Sequence, residues 1–244
     1  MDNVIVTGGS RGLGLAISQR LAALGYRVIA VARRDTEALA AARAAAEADS
    51  VGAIHFRACD LADSPAIPPL VRDVKREFGP IYGLVNNAGL GTSGLLATMP
   101  DPDIEALVRL NTLAPILVAK YVVRGMLAEK RGRVINMSSI IASTGFNALA
   151  AYGATKASMI GFTKSLAREV GRLGVTVNAI APGFVDTEMT DDLGAEGRAR
   201  VISRAALKRL AEPEDVAAAV AFLLGDGGRN ITGSVLTVDA GSTA

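Results

Sequence analysis

The strongest indication of the fold is near the start of the sequence, in Val4-Ile5-Val6-Thr7-Gly8-Gly9-Ser10-Arg11-Gly12-Leu13-Gly14. A short apolar run of β-branched residues ends in a glycine-rich turn, and a segment of helical period follows. Glycine permits positive φ in a tight turn and lets an anion approach the backbone. Free N–H groups and the positive end of the next helix then stabilise that anion. Strand, glycine turn and helix in this order predict a dinucleotide-binding loop, although an ordinary glycine-rich turn is the simpler alternative.

Strand-like and helix-like segments alternate along the whole chain. The Val- and Ile-rich runs are continuous rather than alternating, which is typical of strands buried on both faces of a sheet. Repeated strand–helix units predict a parallel sheet with helices on both faces. The predicted strands are Val4–Val6, Val28–Val31, Ala53–Phe56, Gly83–Val85, Val134–Met137, Val175–Ile180 and Val235–Val238. The predicted helices are Leu13–Leu24, Thr36–Ala48, Ser64–Phe78, Asp103–Glu129, Ala151–Arg172 and Pro213–Leu224.

Length favours a single α/β domain over residues 1–244. The alternation of strands and helices after a glycine loop predicts a doubly wound Rossmann fold of seven parallel strands. Half of the 244 residues are hydrophobic and only 20% are charged, which excludes intrinsic disorder. The apolar runs are shorter than the ~20 residues of a membrane span, and the first residues do not resemble a secretory signal. We therefore expect no membrane partner. An irregular stretch from Pro182 to about Arg204 is a candidate mobile lid.

The chain has one cysteine, Cys59, and one histidine, His55. A disulfide framework and a thiolate zinc cluster are therefore excluded within the chain, and we expect no metal. The net charge of +2 argues against a nucleic-acid partner. A single unpaired thiol favours a reducing, cytoplasmic setting.

The end of the second strand indicates which dinucleotide binds. An acidic residue there usually holds the ribose 2′-OH of NAD, but this strand ends in Ala32 and is followed by Arg33 and Arg34. Guanidinium groups pair with a 2′-phosphate, and Arg11 in the glycine loop supplies a third positive group. The sequence therefore predicts NADP(H) rather than NAD(H). The alternative is that both arginines are solvated, or that Asp35 pairs with one of them.

Small and polar residues follow the third and fourth strands. Asp60, followed by Leu61, is placed to bind the adenine amino group or merely to cap the following turn. Asn87, Ala88 and Gly89 place small groups where a cofactor ribose would lie. Because open parallel sheets bind ligands at the carboxyl ends of their strands, both segments belong to the predicted crevice.

Tyr152 and Lys156 are four residues apart, which places them on one face of a helix. A nearby ammonium is expected to lower the tyrosine pKa, so that the phenol exchanges a proton with a substrate oxygen. Ser139, at the end of the fifth strand, is placed to orient a carbonyl or to satisfy a strand-end backbone group. Asn111, in an otherwise apolar helix, indicates a water-binding or kink-related role. A packed tyrosine beside a surface lysine is the structural alternative.

Taken together, these residues resemble the short-chain dehydrogenase/reductase family over nearly the whole chain. The segments that carry the resemblance are Gly8–Gly14, Asp60, Asn87-Ala88-Gly89, Asn111, Ser139, Tyr152–Lys156, Asn178–Gly183 and Asn230–Gly241. Within the family, the run Tyr152–Thr190 is most similar to bacterial 3-oxoacyl-[acyl-carrier-protein] reductases.

The resemblance implies that NADPH delivers hydride to a ketone carbon while Tyr152 donates the proton. Ser139 would bind the carbonyl oxygen, Lys156 would lower the tyrosine pKa and hold the nicotinamide ribose, and Asn111 would help to hold a proton-relaying water. The cofactor-binding residues would be Gly8, Ser10, Arg11, Gly12, Leu13, Gly14, Arg33, Arg34, Asp60, Leu61, Asn87, Ala88, Gly89, Tyr152, Lys156, Pro182, Gly183, Val185 and Thr187.

The resemblance places substrate specificity in residues 91–100, 140–150 and a lid over 186–204. The middle segment is mostly apolar, which suits an acyl chain but equally a steroid or another hydrophobic ketone. We therefore expect a 3-oxoacyl thioester, carried by an acyl carrier protein or coenzyme A. The alternatives are another alcohol, sugar or steroid-like ketone, and a dinucleotide sensor without chemistry. Basic residues that would attract an acidic carrier protein are Lys130, Arg131, Arg172, Arg198, Arg200 and Arg204.

The family resemblance also implies a homotetramer, with the two longest helices at the interface. Apolar residues on these helices would serve either that interface or the core under the sheet. The candidates are Leu117, Val118, Val122, Ile160 and Phe162.

Overall fold

The computed structural model describes residues 1–186 and 194–244. Within these residues the strands are β1 (Asn3–Thr7), β2 (Arg27–Ala32), β3 (Ala53–Ala58), β4 (Ile81–Asn86), β5 (Gly132–Met137), β6 (Val175–Pro182) and β7 (Val235–Val238). They form one seven-stranded sheet in the order β3-β2-β1-β4-β5-β6-β7, and every neighbouring pair is parallel. The strand order reverses between β1 and β4, which is where an open parallel sheet forms a ligand crevice.

Helices cover both faces of this sheet. They are α1 (Gly12–Ala23), α2 (Glu37–Asp49), α3 (Ile67–Phe78), α4 (Asp101–Val108), α5 (Ala114–Glu129), α6 (Ile141–Thr144), α7 (Ala150–Val170), α8 (Gly194–Arg204) and α9 (Pro213–Leu224). Val4 and Val6 of β1 pack with α1, α2 and α9, whereas Ile5 packs with α3, α5 and α7. Since alternate residues of a strand face opposite sides, these are two cores separated by the sheet. The predicted doubly wound parallel sheet is confirmed.

The prediction of one continuous helix over Asp103–Glu129 is wrong. This segment is divided into α4, a π-helical turn at Arg109–Leu113 and α5. Pro115 lacks an N–H group, so it cannot complete an α-helical bond to the carbonyl of Asn111, four residues earlier. The wider turn accommodates that missing bond, as π-bulges do.

The helical stretch 101–129 is long and apolar enough to cross a membrane by length and composition alone. The expectation that no segment reaches this length is therefore wrong by that criterion. Val118, Val122 and Met126 of α5 are almost fully buried in the core that also contains α3 and the sheet. Packing against the sheet accounts for the apolar character of this stretch.

Burial assigns some of the apolar residues proposed for a subunit interface to the core under the sheet instead. Val118 and Val122 belong to the core under the sheet, and Leu117 and Phe162 pack against it while remaining partly exposed. On the helical stretch 101–129, Val108 and Leu113 are the more exposed large apolar side chains, at 47% and 41%. The homotetramer itself stays a prediction.

The irregular segment predicted from Pro182 to about Arg204 contains the helix α8, so the prediction was wrong for that part. Its first turn carries Glu196 and its last turn Arg204, which suits the helix dipole. Residues 187–193 of the predicted lid lie outside the described residues.

Candidate active site

A crevice of about 1430 Å³ runs along the carboxyl ends of the strands. It reaches from the loop after β2 to the loop after β6, past the point where the strand order reverses. The sequence-predicted residues that line it are Gly8, Ser10, Arg11, Gly12, Leu13, Gly14, Arg33, Arg34, Asp60, Leu61, Asn87, Ala88, Gly89, Ser139, Tyr152, Lys156, Pro182, Gly183 and Val185. Two candidates are not among them: Asn111 lies behind the wall, and Thr187 lies outside the described residues.

The glycine loop joins β1 to α1 and presents backbone to the crevice. Gly12 has a φ of +50°, and a side chain placed there would meet nothing within 4 Å. Gly14 is needed for a different reason, since a Cβ there would lie 2.1 Å from the carbonyl oxygen of Gly8. The first turn of α1 contains no acidic residue, so its N–H groups and positive dipole end are available to an anion.

The loop between β2 and α2 places two guanidinium groups on the crevice wall. Arg33 and Arg34 are exposed, and neither is in an ion pair within the described ranges 1–186 and 194–244. The alternative that Asp35 pairs with one of them is wrong, because the carboxylate of Asp35 binds Arg43 at 2.6 Å. Both arginines are therefore open to a negatively charged ligand.

The ends of β3 and β4 supply the far side of this half of the crevice. Asp60 caps the following turn, since its Oδ1 accepts the backbone N–H of Ala62 at 2.9 Å, and it also lines the crevice. The side-chain amide of Asn87 donates to the carbonyl of Thr7 at 2.9 Å. Asn87 thus fastens the glycine loop to β4 rather than only leaving space for a ribose.

Tyr152 lies in the first turn of α7, and Ser139 lies just after β5. The hydroxyl of Ser139 hydrogen-bonds the phenolic oxygen of Tyr152, which lowers the tyrosine pKa. Burial acts in the opposite direction and is the larger effect, so the pKa of Tyr152 is raised above its ordinary value. The two hydroxyls therefore converge as predicted, and the phenol is protonated at neutral pH.

Lys156 lies one helical turn further along and is 7% exposed. Its ammonium donates to the backbone carbonyl of Met137 at 3.1 Å and lies 5.7 Å from the centre of the Tyr152 ring. Burial lowers the pKa of Lys156 to about 8. The pKa of Tyr152 is raised overall because desolvation of the phenol is the largest effect, and the ammonium of Lys156 is directed at a strand-end carbonyl. The lowering of the tyrosine pKa by Lys156 stays a prediction.

Asn111 occupies the π-helical turn and is 2% exposed. Its Oδ1 accepts the backbone N–H of Leu90 at 2.8 Å, and its amide nitrogen donates to the Leu90 carbonyl at 2.9 Å and to Thr155 Oγ1 at 3.2 Å. The side chain is thus fully used in holding the loop after β4 against α7. Pro115 has no N–H group to donate to the backbone carbonyl of Asn111 in the α-helical pattern.

The chain is similar to known proteins over nearly its whole length. A family model described as Enoyl-(Acyl carrier protein) reductase matches residues 8–243. The 3-oxoacyl-[acyl-carrier-protein] reductase FabG of Escherichia coli (strain K12) is 38% identical over 238 residues, which cover 97% of this chain and 95% of that protein. A crystal structure of a short chain dehydrogenase from Burkholderia cenocepacia J2315, in complex with NADP, is 38% identical with a TM-score of 0.91, covering 100% of this chain and 98% of that one.

The chain belongs to the short-chain dehydrogenase/reductase family. Carbonyl reductase family member 4 of Xenopus laevis is also 38% identical, over 236 residues that cover 97% of this chain and 95% of that protein. Members of this short-chain dehydrogenase/reductase family are oxidoreductases, and the present chain is one.

Sequence reasoning missed several residues that hold the site of this short-chain dehydrogenase/reductase together. Thr7 Oγ1 accepts the backbone N–H groups of Asn87 and Ala88 at 2.9 and 3.0 Å, and donates to Val85 at 3.2 Å. Ser138 donates to the backbone carbonyl of Lys156 at 2.8 Å. A hydroxyl at the end of a buried strand is the only sequence signal for either residue.

A buried polar relay also ties α7 to the sheet in this short-chain dehydrogenase/reductase. The side-chain amide of Asn86 donates to Asn136 at 2.8 Å, and that of Asn136 donates to Thr163 at 2.9 Å. Asn136 and Thr163 are fully buried, so each lost bond would leave a polar group unpaired. The relay fixes the helix that carries Tyr152 and Lys156.

The basic residues proposed to attract a carrier protein lie in two different places. Lys130, Arg131 and Arg172 precede β5 and β6, so they lie at the amino ends of the strands, opposite the crevice. Arg131 also binds the carboxylate of Asp2 at 2.7 and 2.8 Å. These three residues therefore do not border the crevice of their own chain. Arg198 pairs with Asp186 through both carboxylate oxygens, which ties α8 to the segment after β6.

Proposed function

We propose that the protein catalyses the NADPH-dependent reduction of a carbonyl to a secondary alcohol, with a 3-oxoacyl thioester as substrate. The observation that carries this proposal is the convergence of Ser139, Tyr152 and Lys156 in the crevice that also contains the glycine loop. The chain's similarity to the 3-oxoacyl-[acyl-carrier-protein] reductase FabG and to a short chain dehydrogenase in complex with NADP supports the same reaction and cofactor.

The described residues fit NADP(H). The open backbone at Gly12 and the uncapped N-terminus of α1 would hold the diphosphate. Arg33 and Arg34 would hold the 2′-phosphate through charge-assisted hydrogen bonds. Asn87, Ala88 and Gly89 lie between these groups and Tyr152 on the crevice wall, where the rest of the cofactor would lie.

Replacing both arginines, Arg33→Ala/Arg34→Ala, is expected to raise the Kd of NADPH about thirtyfold, because two charge-assisted contacts are lost. The Kd of NADH should change less than about twofold, since NADH has no 2′-phosphate to lose contact with. Fluorescence titration of both nucleotides measures this. An equal loss of affinity for both nucleotides would contradict the assignment of these residues to the 2′-phosphate.

NADPH supplies a hydride when it is bound. Tyr152 donates its proton to the oxygen of the reduced carbonyl, and Ser139 holds that oxygen by a hydrogen bond. The raised pKa keeps Tyr152 in the acid form at neutral pH, which suits reduction better than oxidation. Lys156 is protonated below about pH 8 and contributes positive charge behind the tyrosine. The carbonyl of Asn111, to which Pro115 cannot donate, would bind a water that returns a proton to Lys156.

Three long stretches that each contribute residues to the crevice wall contain no charged side chain. Residues 86–100, 134–155 and 174–185 include no Asp, Glu, Lys or Arg. Phe146 and Phe184 form an edge-to-face pair with ring centres 5.9 Å apart, and Phe146 is 50% exposed. Gly94 donates to the carbonyl of Ala148 at 2.8 Å, which joins two of these stretches. Glu105 and Arg109 of α4 also line the crevice, but the uncharged stretches and the aromatic pair beside Gly183 favour a hydrophobic acyl chain.

A Phe184→Ala variant is expected to raise the KM for long-chain 3-oxoacyl thioesters about fivefold, because one aromatic contact with the chain is lost. The kcat should change little, and so should the KM for the four-carbon acetoacetyl thioester, which does not reach the ring. Steady-state kinetics over a series of chain lengths measures this. Phe222→Ala is the matched control, since Phe222 is 49% exposed near the end of α9, whereas Phe184 lies between Gly183 and Val185, which line the crevice. A KM increase that is independent of chain length would contradict the role of Phe184.

The substrate class is tested by following NADPH oxidation with acetoacetyl thioesters of acyl carrier protein and of coenzyme A. Crotonyl thioester tests enoyl reduction, which the family model's description names. Steroid ketones, keto sugars and small free ketones test whether the protein reduces another class of carbonyl compound. The proposal expects the 3-oxoacyl thioesters to give the highest kcat/KM, and a higher value for crotonyl thioester or a free ketone would overturn it.

The organisation of the chain completes the proposal. Residues 1–244 form one domain, residues 186–204 act as a substrate lid, and an acyl carrier protein is the partner that delivers the substrate. The Arg198–Asp186 pair supports the lid, because it connects α8 to the crevice wall at Val185.

A further inference from the structure

The loop between β2 and α2 contains a carboxylate that does not face the crevice. Arg33, Arg34 and Thr36 line the crevice, whereas Asp35 does not, although it lies between them in sequence. A carboxylate at this end of the second strand accepts a hydrogen bond from a ribose 2′-OH and repels a 2′-phosphate. The direction in which Asp35 points therefore bears on which nucleotide binds.

Two donors hold the Asp35 carboxylate in place. Its Oδ1 accepts the backbone N–H of Thr36 at 2.9 Å, and its Oδ2 accepts Arg43 Nη2 at 2.6 Å. Arg43 lies in the middle of α2 and reaches back to the start of its own helix. Both side chains are about one-third exposed, so the carboxylate would be free to turn if Arg43 were absent.

The same loop is anchored to the phosphate-binding turn. Thr36 caps α2, because its Oγ1 accepts the backbone N–H of Leu39 at 3.1 Å. The same hydroxyl donates to the carbonyl of Ser10 in the glycine loop at 2.6 Å. The positions of Asp35, Arg33 and Arg34 are thus fixed relative to the turn that would hold the diphosphate.

We infer that Arg43 is a specificity-determining residue, which maintains the preference for NADPH by keeping the Asp35 carboxylate away from Arg33 and Arg34. This inference rests on the proposed NADPH-dependent function. Without Arg43, Asp35 either neutralises one of the two guanidinium groups or faces the 2′-phosphate directly. Each change weakens NADPH binding and leaves NADH binding intact or improves it.

The test compares four variants by fluorescence titration of NADPH and NADH: Arg43→Gln, Asp35→Asn, the double variant and Arg76→Gln. Arg43→Gln is expected to raise the Kd of NADPH about threefold relative to that of NADH, which is the scale of an exposed ion pair. Asp35→Asn and the double variant should keep the wild-type ratio, because no carboxylate remains to be released. Arg76 pairs with Asp73 on α3 and lies outside the crevice, so Arg76→Gln controls for the loss of one positive charge.

The ratio of the two dissociation constants within one variant is independent of how much of the sample is folded. The inference is overturned if Arg43→Gln keeps the wild-type ratio of the NADPH Kd to the NADH Kd, if Arg76→Gln raises this ratio equally, or if the double variant binds NADPH as weakly as Arg43→Gln does. The proposed cofactor fails separately, since in that case the wild-type protein binds NADH as tightly as NADPH.

Discussion

A Tyr152→Phe variant loses about a thousandfold or more in kcat for ketone reduction and still binds NADPH with the wild-type Kd. The substitution removes only the phenolic O–H, which is the proton donor, and general acid catalysis contributes about 10²–10⁴-fold. The ring remains to fill its half-buried place in the first turn of α7. Single-turnover NADPH oxidation measures the loss, and fluorescence titration measures the retained binding.

Tyr121→Phe is the matched control, because Tyr121 lies on α5 and does not line the crevice. It should keep wild-type kcat. If Tyr152→Phe retained more than a few per cent of wild-type turnover, another group would be the proton donor, and the assignment of Tyr152 would be wrong.

A Lys156→Met variant is expected to lose at least about a hundredfold in kcat and yet to unfold at a higher temperature than the wild type. Burial is the only cause of the lowered pKa of Lys156, so its ammonium is buried without a carboxylate partner among the described residues. An apolar side chain of similar length removes that desolvation penalty, which is expected to raise the free energy of unfolding by about 1–3 kcal/mol. For a chain of this length the rise in Tm is roughly 5 °C, measured by thermal unfolding at pH 7.

The stability difference should also depend on pH. The pKa of Lys156 is about 8 in the folded protein and 10.5 ordinarily, so the unfolded state binds more protons between these values. Stability of the wild type therefore rises with pH over this window through Lys156, and the advantage of the Met variant shrinks as pH increases from 8 towards 10. Lys164→Met, at an exposed position of the same helix, is the control and should show neither effect. A Lys156→Met variant that is less stable than the wild type at pH 7 would show that the bond to the Met137 carbonyl outweighs the desolvation penalty.

The parallel sheet could be predicted because its strands are buried on both faces and read as continuous Val- and Ile-rich runs. The grouping of Tyr152, Lys156 and Ser139 followed from helical spacing and from the position of a strand end. These are local signals, and the structure preserves them. The glycine loop was predictable for the same reason, because Gly8, Gly12 and Gly14 act through backbone geometry.

Other features depend on contacts that no local pattern contains. The pKa of Tyr152 is raised because of the surrounding packing, and Lys156 turns to the carbonyl of Met137, nineteen residues away. The Asp35–Arg43 pair was not foreseen, because the nearer arginines in sequence were the obvious partners. Helix α8 was missed because Gly194 and Gly197, after a strand and Gly183, suggested a loop.

The strand order also separates the residues proposed to select the nucleotide from those proposed to contact the acyl chain. Arg33 and Arg34 follow β2, whereas Phe146 and Phe184 follow β5 and β6, three and four strands away. At about 4.8 Å per strand, the two groups are roughly 14–19 Å apart at the sheet. Changes at such distances usually combine additively. The nucleotide requirement and the chain-length range could therefore be changed one at a time by substitution, and the fold-changes in kcat/KM from the two sets of substitutions should multiply.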